Sequence, residues 1–457
     1  MRSSLRISGL HHTALQSHLF PGDGLEAVAV ALCGRLHTPV GQVLTVQGIV
    51  PVPYAACDRR SDRVTWSSET LASVLDDARR RKQAVVKFHS HPSSYEKFSP
   101  WDDQSDRETF ASVFSWMDDA RPHASAVMLP DGRIFGRSIS QSGWHHFSVV
   151  TLVGDALSYW HSNTNVEERS EIFEAQNQLF GAGTTKLLRK LRVGVVGCSG
   201  TGSIVIELLA RLGVGMLVLV DYERIEKRNL NRIANAKLSD IHQPKVIALA
   251  KAIRSMGLGT NVLPFEKNLF DPQAVKEIAQ CDVVFGCMDK AEGRQLLNRI
   301  ATFYLVPYFD LGVHLAADGK GGIDEASGVV HYLQPGRSSL LSRKAYTPDR
   351  VRAENLYRTN PEAYKDERER GYIEGVDEKS PAVASINATI ASLAVNEFLA
   401  RVHPFRSIRN TDCAVVRVNF METHIIREEE TDPCRALAPH VGRGDIDPLL
   451  DLPSLSH

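Results

Sequence analysis

The stretch Leu191–Arg232 constrains the chain more than any other. An apolar run with Val193, Val195 and Val196 breaks at Gly197-Cys198-Ser199-Gly200-Thr201-Gly202. A helical pattern follows, with Ile204, Ile206, Leu208, Leu209 and Leu212, and a second apolar run, Met216–Val220, ends in Asp221. A switch from strand to helix and back to strand, with glycines at the first turn, predicts a βαβ unit. Glycine suits a tight turn where a phosphate must approach backbone N–H groups at a helix start. An acid about twenty residues further on is the usual ribose ligand. Taken alone, this stretch indicates a nucleotide and nothing narrower.

The residues that follow narrow it. Asn229-Leu230-Asn231-Arg232, then Gln243-Pro244-Lys245, then Met288-Asp289-Lys290 after the apolar run Val283–Phe285, form an ordered series. A dehydrogenase has no use for Arg, Lys and Asp at these points. An enzyme that directs attack on the α-phosphate of ATP needs cations for the leaving pyrophosphate and a carboxylate for magnesium. Over about Ile172–Asn419 the chain resembles the ThiF/MoeB/ubiquitin-activating superfamily, whose members adenylate the C-terminal carboxylate of a ubiquitin-like protein. The resemblance implies that Gly197, Gly200 and Gly202 cradle the triphosphate and that Asp221 binds the ribose. It further implies that Asn229, Arg232 and Lys245 hold phosphates, and that Asp289 holds magnesium. Ser199 replaces one family glycine. Ala175-Gln176 stands where the family often has Arg-Gln, and Arg169 lies at the wrong spacing to replace that arginine. The family's paired CxxC motifs are absent, so no structural zinc is expected in this region.

Upstream, residues 1–160 read as a separate α+β domain. Strands are expected at Leu25–Cys33, Leu44–Val50, Arg63–Trp66 and Ala84–Phe88, and a helix at Glu69–Arg81. Further strands are expected at Ser125–Leu129, Arg133–Gly136 and Trp144–Leu152. The strand Ala84–Phe88 runs into His89-Ser90-His91, and Ser99 and Asp102 complete H-S-H-x7-S-x2-D. Two histidines one residue apart at a strand end face one side. With an aspartate beyond a loop they make three ligands and leave a fourth position open, the plan of a catalytic zinc. The pattern resembles the JAB/JAMM metalloisopeptidase motif. That resemblance implies zinc on His89, His91 and Asp102, Glu26 as the base for water, and Ser99 as a stabiliser of the tetrahedral intermediate.

The expected fold class is α/β: a JAB-like α+β domain (1–160), then a Rossmann-like ThiF-type adenylation domain with a mostly parallel sheet (161–431), then a flexible tail (432–457). Ser162–Arg169 is the expected join. Beyond the Gly loop, a helix is expected over Ile172–Leu191 and strands at Tyr304–Val313 and Gly328–Leu333. Ser342–Lys379, dense in charge and broken by Pro348 and Pro361, is expected to be a mobile crossover or substrate-facing loop. Pro381–Ala400 reads as a buried helix rather than a membrane span, and its apolar surface is also expected to help bury a homodimer interface. Of seven cysteines none forms a CxxC pair, which suits a reduced, cytoplasmic protein. Cys434, flanked by polar residues, is the best candidate for a thioester; Cys198, Cys281 and Cys287 read as packing residues. The net charge of −1 gives no electrostatic case for nucleic acid or an acidic membrane. Nor does any stretch read as a membrane span.

The expected activity is ATP-dependent adenylation of a ubiquitin-like C-terminus, joined to zinc-dependent cleavage after it, with a conjugating enzyme as a further partner. The rival within the same chemistry is activation of a sulfur-carrier protein for cofactor or natural-product synthesis. Other classes are an NAD-dependent oxidoreductase, which leaves Arg232, Lys245 and Asp289 without a task, and a non-catalytic scaffold that binds a ubiquitin-like protein.

Overall fold

The computed structural model describes residues 2–39, 41–67, 72–117, 119–163, 171–373, 375–376 and 381–456. It divides into two compact units. The first is 1–165 with 303–305 and 440–456; the second is 166–302 with 306–439 and 457.

The first unit carries β1 (Arg2–Ser8), α1 (Gly9–Leu19), β2 (Val28–Thr38), β3 (Gly41–Pro51), and a small hairpin of β4 (Cys57–Arg59) and β5 (Val64–Trp66). Next come α2 (Ala72–Arg80), β6 (Ala84–Ser90), α3 (Pro100–Met117), β7 (His123–Met128) and β8 (Ile134–Ser140). The last strands are β9 (Gly143–His146), β10 (Val149–Val153) and β11 (Leu157–His161). Nine of them form one sheet in the order β11-β10-β1-β3-β2-β6-β7-β8-β9. Alternation along β2 sorts its side chains between two cores. Ala29, Ala31 and Cys33 pack with Leu15 and Leu19 of α1. Val28 and Val30 pack with Leu75 of α2 and Phe110 and Val113 of α3. Both faces are therefore covered, which is why β2 reads as an unbroken apolar run rather than an alternating one.

The second unit starts with α4 (Glu174–Lys190), β12 (Arg192–Val196), α5 (Gly200–Arg211), β13 (Met216–Val220), α6 (Lys245–Ser255) and β14 (Asn261–Phe265). It continues with α7 (Pro272–Ala279), β15 (Val283–Gly286), α8 (Ala291–Tyr304), β16 (Tyr308–Ala317) and β17 (Ile323–Leu333). It closes with α9 (Pro348–Thr359), α10 (Pro361–Glu369), α11 (Ala384–Val402), β18 (Val415–Asn419) and β19 (His424–Glu428). The sheet order is β14-β13-β12-β15-β16-β17-β18-β19. Pairs from β14 to β16 are parallel and those from β16 to β19 antiparallel. The chain leaves β12 toward β13 on one side and later returns to β15 on the other. That reversal opens a crevice at the strand ends, where doubly wound sheets take ligands.

Four expectations need correction. Ser342–Lys379 is not simply a loop, because it holds α9 and α10. Pro348 and Pro361 mark helix starts rather than breaks. Each follows a capping residue: Thr347 accepts from the Arg350 N–H, and Asn360 from the Ala363 N–H. Proline costs nothing at a first helical position, where its missing N–H has no partner to lose. Tyr304, expected in a strand, ends α8, and β16 starts at Tyr308. The apolar residues of α11 are spent within its own unit: Ile390, Ala394 and Phe398 are fully buried, and Phe398 meets Phe285 and Phe309 edge-on at 6.0 Å. The expected interface helix is thus a core helix.

The fourth correction concerns the tail. Instead of trailing, 440–456 packs in the first unit. The Gly442 carbonyl accepts from Gly34 N–H (3.2 Å) and Thr45 Oγ1 (2.8 Å). Asp445 accepts from the His37 N–H (3.1 Å) and the Tyr304 hydroxyl (2.8 Å). Leu449, Leu450 and Leu455 are buried. The expected join falls mostly on 164–170, outside the described residues, as does Arg169. No helix among the described residues is long and apolar enough to cross a membrane. If the tail is part of the fold, Leu450→Ala should destabilise the first unit by about 2–5 kcal/mol, the usual cost of truncating a buried leucine. An unchanged urea midpoint for that unit would contradict the packing.

Candidate functional sites

In the first unit, β6 pairs antiparallel with β2 so that His89 stands opposite Val28. Continuing that register by two residues brings Glu26, just before β2, opposite His91. Ser90 closes the ends of the two strands: its hydroxyl accepts from the Ala27 N–H at 2.9 Å, and its N–H donates to the Ala27 carbonyl at 3.1 Å. Sequence position alone placed Glu26 on the strand; it lies instead in the turn leading in, held by Glu26 N–H to the Arg60 carbonyl (2.8 Å). Burial lifts its carboxyl to about 7, with Asp102 adding to the rise.

His89, His91 and Asp102 are all buried, and one donor atom from each lies within 4.8 Å of the others. His89 Nε2 is 2.9 Å from Asp102 Oδ1, and His91 Nε2 is 3.4 Å from Asp102 Oδ2. The two Nε2 atoms are 3.1 Å apart. His91 Nδ1 donates to the Tyr95 carbonyl at 2.7 Å, which leaves a lone pair on its Nε2. Two imidazole nitrogens aimed at one point with a carboxylate beside them form the donor set of a divalent metal with an open position. The residues present fit such an ion. Burial lowers the His89 pKa. Burial would lower that of His91 too, but hydrogen bonds to Asp102 and Tyr95 raise it. Burial disfavours the Asp102 anion, yet hydrogen bonds from His89, His91 and the Ser99 N–H hold its carboxyl far below the usual range.

Ser99 has a second task that the motif conceals. Its hydroxyl accepts from the Asp102 N–H (3.2 Å), and Asp102 Oδ2 accepts from the Ser99 N–H (2.6 Å). S-x2-D is thus also the capping box that starts α3, and it aims the Asp102 carboxylate at the histidines. Beneath lies a charged layer that sequence reasoning missed: Asp106 binds Lys87 at 2.5 Å and Arg137 at 2.7 Å, all three buried. Its only sequence signal is the i, i+4 repeat of Asp102 and Asp106 on one helix.

In the second unit the Gly loop follows β12. Gly197 has φ +87, a left-handed conformation that glycine adopts without strain. A Cβ on Gly202 would overlap the Gly197 carbonyl oxygen, and one on Gly200 would overlap the Asn387 amide of α11. Gly202 is required by backbone packing as much as by any phosphate, and Gly200 gives the Asn387 amide its place. Asn387 was missed as a neighbour of the loop, although a buried amide in an apolar helix was a visible signal. Asp221 follows β13 and accepts from the Cys198 N–H (2.7 Å) and the Glu223 N–H (2.8 Å). Burial raises its pKa. Lys245 is buried, its ammonium paired with Glu223. Asp289 follows β15 at the rim of the crevice; its raised pKa reflects surrounding protein first and Glu223 second, opposed by Lys245, Arg232 and Arg294.

The expected series is therefore gathered at one crevice, and two of its members also serve the turn that carries them. The Asn229 side chain already accepts from the Glu226 N–H at 2.9 Å, so its carbonyl shapes the 226–229 turn. Arg232 Nη1 donates to the Arg228 carbonyl at 2.8 Å, which holds the side chain close to its own turn. Cys434 is 4% exposed, not solvent-facing, because the segment around it folds back and its N–H donates to the Arg337 carbonyl. Only Cys57 and Cys287 among the seven thiols are even partly exposed. Next to Ala175, which stands where an arginine was looked for, Gln176 Nε2 donates to the Leu212 carbonyl at 3.2 Å.

A Gly loop, a buried lysine and a rim aspartate at the reversal point of a doubly wound sheet define a nucleotide-type α/β domain. Residues 173–436 match the ThiF family, and this chain belongs to it. Residues 11–140 match the prokaryotic homologs of the JAB domain, so a JAB-like domain precedes the ThiF domain. Ubiquitin-like modifier-activating enzyme 5 of Culex quinquefasciatus is 31% identical over 185 residues, which is 37% of this chain and 43% of that protein. Adenylyltransferase and sulfurtransferase MOCS3 of Danio rerio is 35% identical over 112 residues, 24% of each chain. The chain thus spans less than half the length of these relatives. The solved structure of E. coli MccB with ATP aligns over 89% of this chain and 98% of its own at 12% identity and TM-score 0.45, too distant to bear on the sites.

The capping box can be tested apart from any chemistry. Ser99→Ala should cost about 0.5–2 kcal/mol in stability, and Ser99→Asn, which can still cap, should recover most of it. Equal stability of the two variants would remove the cap from the account.

Proposed function

We propose that the chain uses ATP to adenylate the C-terminus of a ubiquitin-like protein at the Gly197–Asp289 crevice. We further propose that it cleaves polypeptide after such a C-terminus at the His89–His91–Asp102 centre. The observation that carries the first half is the gathering of Lys245, Asp221, Asp289 and Arg232 around the Gly loop in a chain of the ThiF family. The names of the relatives support the substrate class, since one is a ubiquitin-like modifier-activating enzyme. A sulfur-carrier protein fits the same chemistry, and the name of the second relative speaks for it.

In the adenylation step, backbone N–H groups of 199–202 hold the triphosphate at the start of α5. Asp221 takes the ribose hydroxyls. Lys245, already desolvated and poised by Glu223, attracts the phosphates. Magnesium, when bound, neutralises phosphate charge, and Asp289 is the carboxylate that holds it. Arg232 leaves the Arg228 carbonyl to meet the departing pyrophosphate, and Asn229 keeps the turn that carries it in shape. Cys434 is buried and is not the exposed thiol that a thioester step would use. A homodimer would draw on surfaces other than the apolar face of α11.

In the cleavage step His89, His91 and Asp102 hold zinc, which supplies Lewis acidity when bound. Glu26, with a carboxyl at about 7, takes a proton from water near neutral pH and returns it to the leaving amine. Ser99 keeps a hydroxyl proton free to donate to a developing oxyanion while its oxygen caps α3.

Purified protein should carry one zinc per chain, lost in His89→Ala and in Asp102→Ala. Glu26→Gln should keep the zinc but lower cleavage by about 10²–10⁴-fold, the usual worth of a general base. Zinc retained in both ligand variants would show that the metal sits elsewhere.

The adenylation half has its own test. Asp289→Ala should abolish ATP–pyrophosphate exchange driven by a ubiquitin-like C-terminus while cleavage survives. Arg232→Ala should slow exchange by ~100-fold or more with a smaller change in nucleotide affinity. Normal exchange in Asp289→Ala would refute the assignment.

A further inference from the structure

The nine-stranded sheet of the first unit has two free ends, β9 and β11. Both border one cavity of about 780 Å³, within the range of a ligand pocket. Its floor is β8, with Ile134, Phe135 and Gly136; Phe147 before β10, Val150 of β10 and Trp160 of β11 form one wall, and Trp144 of β9 the other. The cavity is thus the gap a curled sheet leaves where its two ends fail to close into a barrel.

Two aromatic rings separate this gap from the metal-type donors. Phe98 is 6.4 Å from His89, Phe135 is 6.2 Å from His91, and the two phenyl rings meet edge-on at 5.4 Å. The two arginines in the wall are already matched. Arg137 pairs with Asp103 and Asp106 and stacks on Phe98 at 3.9 Å, and Arg133 pairs with Glu96 and Asp131. Lys97 is exposed at the rim, while the surface inside is mostly aromatic and selects an apolar group. The strand beside the mouth is suited to a peptide. β9 pairs only with β8, all four of its residues are exposed, and Trp144 is 47% exposed. An extended chain laid on such an edge bonds through its backbone and turns alternate side chains toward the sheet face.

We propose that this cavity is a specificity subsite of the hydrolytic centre. It takes one bulky apolar side chain of an extended substrate polypeptide that pairs along β9. The inference rests on the hydrolytic reading of His89, His91 and Asp102 for the identity of its substrate, but not for binding itself.

Binding is therefore read without turnover, in the full-length Glu26→Gln chain. Dye-labelled twelve-residue Gly/Ser peptides, each carrying a single Phe at a different position, are titrated by fluorescence anisotropy. At one position or a few alternate ones, Phe should tighten binding at least ~10-fold over the all-Gly/Ser peptide. His146→Trp, which fills the mouth from an exposed strand position, should erase that gain, and Trp144→Ala should reduce it. Zinc content should be the same in all three proteins. Equal binding of every peptide, or a gain that persists in both variants, overturns the proposal. Cleavage of the Phe peptide is then measured in the wild-type chain. If the binding gain holds and no peptide is cut, the hydrolytic reading fails while the subsite stands.

Discussion

The second unit depends on one steric constraint: the turn after β12 has no room for a Cβ at Gly202. Gly202 lies against the Gly197 carbonyl, and Gly200 lies against the amide of Asn387. Without a side chain at Gly202 the chain starts α5 directly off the strand, and the bare Gly200 lets Asn387 of α11 pack close. That start aims the helix N–H groups into the crevice. Asp221 then caps the Cys198 N–H and closes the loop from the far side. Lys245 and Asp289 arrive from α6 and from the end of β15, both anchored at the same edge of the parallel strands. The crevice is thus a consequence of backbone packing before it is a property of any charge.

The first unit has a comparable economy at its metal-type centre. The β2–β6 register brings Glu26 across from His91, and the start of α3 supplies Asp102. One reciprocal pair of hydrogen bonds between Ser99 and Asp102 both begins the helix and orients the carboxylate. The buried Lys87–Asp106–Arg137 layer ties β6, α3 and β8 together beneath it. Removing Asp106 would leave the Lys87 ammonium buried without its counter-ion, a costly state. The donors are accordingly held by a framework that does not itself touch an ion.

Local pattern was enough for several features and misled in others. The βαβ opening, the H-x-H pair and the ordered Asn, Arg, Lys and Asp series depend on short spacings that survive in any fold containing them. Pro348 and Pro361 misled because proline favours both loops and first helical turns, and only the Thr347 and Asn360 caps tell them apart. Cys434 misled because polar neighbours in sequence say nothing of what folds back over a thiol.

The sequence by itself determined the two domain types, the strand that presents the histidines and the Gly loop after β12. Each is written in residues close along the chain, where glycine geometry, strand alternation and motif spacing act. Tertiary structure alone decided that Glu26 faces His91, that Asn387 abuts the Gly loop and that residues 440–456 belong to the first unit. It likewise decided that the two ends of the nine-stranded sheet border one cavity. These are contacts between segments tens to hundreds of residues apart, set by strand register and burial, and no local pattern encodes them.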